Sequence, residues 1–133
     1  MTFAQLWDSI VDLLRSNAAS IGIDADHIDY GTLGKALPLH PPFLLVYCLP
    51  GSFYQSESTS VITQLASVIL YIGAKPQPAL HETLKNATEK AGKAIQALQQ
   101  AHLPMRNLTI DLVEASSSQV VLAVEFATFY DLS

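Results

Sequence analysis

The run VVLAVEFATFYDL, beginning at Val120, constrains the fold of this chain more than any other segment. Side chains alternate across a strand. Val120, Leu122, Val124, Phe126, Thr128 and Tyr130 therefore share one face, and Val121, Ala123, Glu125, Ala127, Phe129 and Asp131 share the other. Both faces are mostly apolar. Such a strand suits the middle of a sheet, or a place where its second face meets a neighbour. Just upstream, NLTIDLVE alternates Leu108, Ile110 and Leu112 with Thr109, Asp111 and Val113, and ASSSQ supplies a turn. The two runs are expected to form a long hairpin with Leu108, Ile110 and Leu112 pointing inward.

The rest of the chain supplies partners for that hairpin. Thr2-Phe3-Ala4-Gln5 has the form of a capping box, and Leu6, Ile10, Leu13 and Leu14 recur at helical spacing behind it. This predicts an amphipathic helix ending near Asn17. Residues 22–42 read as irregular and flexible, with a short strand possible near Ile28–Tyr30. PLHPPFLLVYC then leads through three prolines into an apolar strand over 43–49, closed by Pro50-Gly51. A polar loop is expected over 52–60, with Phe53 and Tyr54 at its start as candidate partner contacts. SVITQLASVILYI suits a helix by spacing and a strand by β-branched content; we read it as a strand antiparallel to 43–49. Pro78 opens the clearest helix, with Leu80, Leu84, Ala87, Ala91, Ile95 and Leu98 as its apolar stripe. The order α-β-β-α-β-β predicts a single α+β domain over 1–133. Its expected architecture is a two-layer sandwich of about four mainly antiparallel strands, with both helices on one face.

Charge and cysteine content exclude several functions. The chain has 133 residues, half of them hydrophobic, only 14% charged, and a net charge of −5. A sparingly charged, apolar surface favours self-association. The acidic balance lacks the clustered Lys and Arg of a nucleic-acid binder, so no sequence-specific nucleic-acid partner is expected. One cysteine forms no internal disulfide and fits a reducing compartment. MTFAQLWDSI lacks the basic start of a signal peptide, and Phe43 to Leu49 is too short to span a bilayer. No membrane partner is expected.

No catalytic constellation is complete. Cys48 and His40 lie eight residues apart, but the apolar neighbours of Cys48 raise a thiol pKa and no third group orients the pair. LHETLK begins like a zinc-protease helix, yet Lys85 stands where the second histidine belongs. DADHIDYG fails the calcium-loop pattern, with Ile28 and Asp29 at its fifth and sixth positions and Lys35 at its twelfth. No phosphate-binding glycine motif and no G-x-S-x-G are present. No catalytic residue, metal or cofactor is expected.

In length and order the chain resembles the phage tail-terminator, or tail-completion, family and its relatives in contractile injection systems. The resemblance runs from the first helix through PFLLV and ALHETLKNATEKAGKAIQAL to VVLAVEFATFY. It is one of pattern across nearly the whole chain. It implies a structural subunit of a homo-oligomeric ring, commonly a hexamer, that caps the tail tube and stops its polymerisation. The implied partners are other copies of the chain, a tail tube protein and a neck or head-completion protein. The implied location is the virion tail, assembled in the host cytoplasm. The alternatives are a small α+β enzyme or ligand-binding protein with a pocket near Cys48, Tyr47 and His40, or a cytosolic adaptor for one protein partner.

Overall fold

The computed structural model describes residues 1–31, 41–55, 62–117 and 119–131, with the backbone alone for 51–55, 62 and 63. Residues 32–40, the centre of the connection expected to be irregular and flexible, lie outside the described residues, and His40 lies among them.

Helix α1 covers Phe3–Ser16. Its start is the expected capping box: Gln5 N–H donates to Thr2 Oγ1 at 3.2 Å, and Thr2 N–H donates to Gln5 Oε1 at 2.9 Å. Leu6, Ile10, Val11 and Leu14 are buried on one stripe. A short helix α2, Ala18–Ile21, ends at Gly22, whose φ of +85° provides the left-handed cap that favours glycine. A 3-10 turn, Ala25–His27, leads into strand β1, Ile28–Tyr30. Strands β2 (Phe43–Gln55) and β3 (Ile62–Ala74) follow, then helix α3 (Leu80–Gln100), β4 (Arg106–Ala115) and β5 (Val120–Asp131).

One five-stranded sheet has the order β1-β2-β3-β5-β4. β1 runs parallel to β2, and the other pairs are antiparallel. The α+β sandwich is as expected, with the short strand near 28–30 adding a fifth, parallel member. β5 is an interior strand, between β3 and β4, in keeping with its two apolar faces. Helix α1 lies over β1 and β2, and α3 over β3 and β5. The main core joins Leu6, Ile10 and Leu14 of α1 and Ala91, Ala94, Ile95 and Leu98 of α3 to Leu44, Val46, Val68, Leu70, Val124 and Phe126 of the sheet. The alanines on α3 let the helix axis approach the sheet closely.

Several boundaries move. β2 does not stop at Pro50-Gly51 but continues to Gln55, with a register shift between Pro50 and Phe53. The physical reason is that β1 pairs only with Leu44 to Val46, so among the described residues β2 has no neighbour on that side beyond Val46, and a proline there leaves no ladder bond unmade. Phe53 and Tyr54 therefore sit in a strand, opposite Gln64 and Thr63, rather than in a loop. Their side chains lie outside the described residues, as does 56–61. Helix α3 begins two residues after Pro78; Leu80, expected on its buried stripe, is 58% exposed, and Thr83 is buried instead. Thr83 Oγ1 accepts from Gln77 N–H at 2.7 Å, which ties the lead-in to the first turn.

Candidate assembly surface

The largest departure from expectation is at β4. Leu108, Ile110 and Leu112 do not point into a core: they are 40%, 43% and 53% exposed, and Val113 is 49% exposed. The side they share was read correctly. Ile110 pairs with Val124 and Leu112 with Leu122, so both lie on the helix-covered side of the sheet. The helix layer ends at β5, however, so this apolar row continues past the last helix into solvent.

Two irregularities bound the regular part of β4, between Arg106 and Thr109 and between Leu112 and Glu114. Asn107, in the first, has a φ of +56°. On the other side of the strand, Thr109 and Asp111 pair with Glu125 and Ala123. Arg106 stands 5.7 Å over the Phe129 ring, and Glu114 accepts from Gln119 Nε2 at 2.9 Å. Beside the Asn107 irregularity a cavity of about 270 Å³ is lined by Ser67, Asn107, Thr109, Glu125, Phe126 and Ala127.

The opposite sheet edge, at β1, is finished differently. Arg15 Nε donates to Ile28 O at 2.8 Å, and Tyr30 N–H donates to Asp29 Oδ1 at 2.8 Å. Gly31 N–H turns inward to Val46 O at 2.7 Å, so the Ile28 and Tyr30 groups are the outward ones by alternation. Arg15 Nη2 also bonds Asp29 Oδ1 at 3.0 Å. Trp7 Nε1 donates to Val46 O at 2.9 Å, and Tyr30 Oη donates to Asp8 Oδ1 at 2.6 Å. That last bond holds the Tyr30 hydroxyl above its usual pKa. Two outward backbone groups of β1, Ile28 O and Tyr30 N–H, are thus occupied by side chains. Among the described residues, no side chain does the same for β4.

The other residues singled out from the sequence are dispersed. Cys48 is buried on the helix side of β2, opposite Val68, and desolvation pushes its thiol up to about 12. Tyr47, the adjacent residue, points to the other side, where its ring meets Tyr71 edge-on at 5.3 Å. The two therefore point to opposite sides of the sheet, and the cavity described above is lined by neither. His81, Glu82 and Lys85 are all exposed on the first turns of α3. Among the described residues no group of three or more His, Cys, Asp or Glu could hold a metal ion, and no helix is long and apolar enough to cross a membrane. Compared with protein-family models the chain matches none, and it has no match among curated proteins.

Proposed function

We propose that this chain is a structural assembly subunit of the tail-terminator kind. Copies associate into a ring, of six in the commonest case, that caps a tail tube, halts its growth and offers a surface to a neck or head-completion protein. The observation that carries the reading is the exposed row Leu108, Ile110 and Leu112 on an edge strand whose outer backbone no described side chain occupies. Native chains that remain alone blunt such edges with charge, proline or cover. The element order supports the same reading.

The test is mass in solution, by sedimentation and light scattering over a wide concentration range, for the wild type and for Ile110→Lys/Leu112→Lys. The wild type is expected to associate, and the variant to be a folded monomer. Added to polymerising tube protein, the wild type should shorten the tubes and the variant should not. A wild-type chain that stays monomeric both alone and on tubes would overturn the proposal.

A further inference from the structure

We infer that β4 pairs antiparallel with β4 of a second copy, about a two-fold axis through Ile110. The inference rests on the reading of the strip as a self-contact, but not on the ring.

A sheet can be extended at either edge. At the β1 edge the outward Ile28 O and Tyr30 N–H are already bonded to Arg15 and Asp29, so a strand arriving there would have to displace both. Beyond Val46 the same edge passes to β2, where Pro50 has no N–H to offer and the register breaks before Phe53, so β4 is the better edge for pairing two copies. The strand is self-complementary in one register. Centred on Ile110, the pairing sets Ile110 opposite Ile110, Leu108 opposite Leu112, Thr109 opposite Asp111 and Arg106 opposite Glu114. All three apolar residues then form one unbroken row, continuous with the core face of both sheets. On the other side, Arg106 and Glu114 meet with opposite charge, twice in each dimer. The two irregular positions, Asn107 and Val113, also fall opposite one another, so the ladder is interrupted in both strands at the same step.

Neighbouring registers lose these matches. A two-fold centred on Asp111 faces two carboxylates across the axis, where like charges repel. One centred between Ile110 and Asp111 is ruled out by the pleat: it would set these two residues directly opposite, although their side chains leave the strand on opposite sides. Because the contact is isologous, it joins two copies and stops. Any larger assembly that contains it has an even number of chains.

The experiment uses a single thiol. In a Cys48→Ala background, Ile110→Cys places two sulfurs on the axis, with Cβ atoms about 4.5–5.5 Å apart for a directly opposed pair. Mild oxidation or a short bifunctional thiol reagent should convert most of the protein to a covalent dimer, whereas Gln96→Cys on α3 should give none. Arg106→Glu and Glu114→Arg should each raise the dimer Kd about tenfold or more, and combining them should return it to within about threefold of the wild type. Association without a cross-link at 110 would overturn the pairing, as would a monomeric wild type. The cross-link decides the matter if a charge variant fails to fold. The two proposals separate cleanly: dimers that cross-link at 110 but never grow uphold the pairing and defeat the ring, and rings that do not cross-link at 110 do the reverse.

Discussion

Gly73 and Phe43 face each other across β2 and β3, and the Phe43 ring fills the space a side chain at position 73 would need. A Cβ built on Gly73 would stand 2.1, 2.5 and 2.6 Å from three carbons of that ring. Phe43 is only 2% exposed, on the side of the sheet away from both helices, and Val121, on the other flank of Gly73, is fully buried. A ring so enclosed cannot step aside without losing its packing. Gly73→Ala should therefore cost about 1–3 kcal/mol from overpacking, against a gain of about 0.5–1 kcal/mol from giving a strand glycine a side chain. The net expected loss is about 1–2 kcal/mol. In a Phe43→Ala background, itself about 3 kcal/mol or more less stable, the ring is gone. There Gly73→Ala should stabilise by about 0.5–1 kcal/mol, so the sign reverses. Urea unfolding of the four proteins measures the coupling, expected at roughly 1.5–3 kcal/mol. Gly31→Ala offers a graded comparison. Its Cβ would meet the Tyr47 ring at 2.2 Å, but Tyr47 is only half-buried and can yield at less cost. A Gly73→Ala effect of the same sign in both backgrounds would refute the steric account.

Further outcomes follow from two buried groups. Cys48, held up to about 12 against an ordinary 9.0, should resist an aromatic disulfide reagent at pH 8 until the protein is unfolded, and rapid native-state labelling would contradict its placement. Between those two values the unfolded chain has released a proton that the folded chain keeps. Stability should therefore fall as pH rises through that window, by up to about 1.4 kcal/mol per pH unit more in the wild type than in Cys48→Ala, as read from paired denaturation curves. Thr128 is fully buried and its Oγ1 has no hydrogen-bond partner among the described residues, so the near-isosteric Thr128→Val should raise stability by about 1 kcal/mol in thermal or urea unfolding. A loss of similar size would mean that the hydroxyl is satisfied.

The features that were readable from the sequence are those settled by neighbours in the chain. The capping box at Thr2 and Gln5, the stripe through Leu6, Ile10 and Leu14, and the alternation of β5 each depend on spacing within a few residues. The misread features depend on what lies beside a segment in space. Pro50-Gly51 is a strand terminator in most settings. It is tolerated here because β1 is too short to reach that part of β2, and nothing in PLHPPFLLVYCLPG reports the length of a neighbour twenty residues upstream. The place of Leu80 on the α3 stripe failed for a related reason: periodicity identifies a face, but not where the underlying sheet ends. The strip on β4 is the same error on a larger scale. Alternation assigned Leu108, Ile110 and Leu112 to one side correctly, and only the width of the helix layer decides whether that side is covered.

The difference between the two sheet edges limits how copies of this chain can join. Were both edges open, β4 of one copy could add to β1 of the next and the sheet could grow without end, which is the hazard of exposed edge strands. Arg15 and Asp29 occupy Ile28 O and Tyr30 N–H, two outward backbone groups of β1, and this opposes head-to-tail growth at its receiving end. The irregularities around Asn107 and Val113 confine the open part of β4 to a short regular stretch, too short to serve as a general template. An apolar strand left open on one edge, with the other edge occupied at β1 and broken at Pro50 of β2, favours strand pairing between like edges, and a pair of like edges is complete. Further growth must then use a different kind of contact. In this fold that restriction arises from one arginine, one aspartate and the reach of a helix.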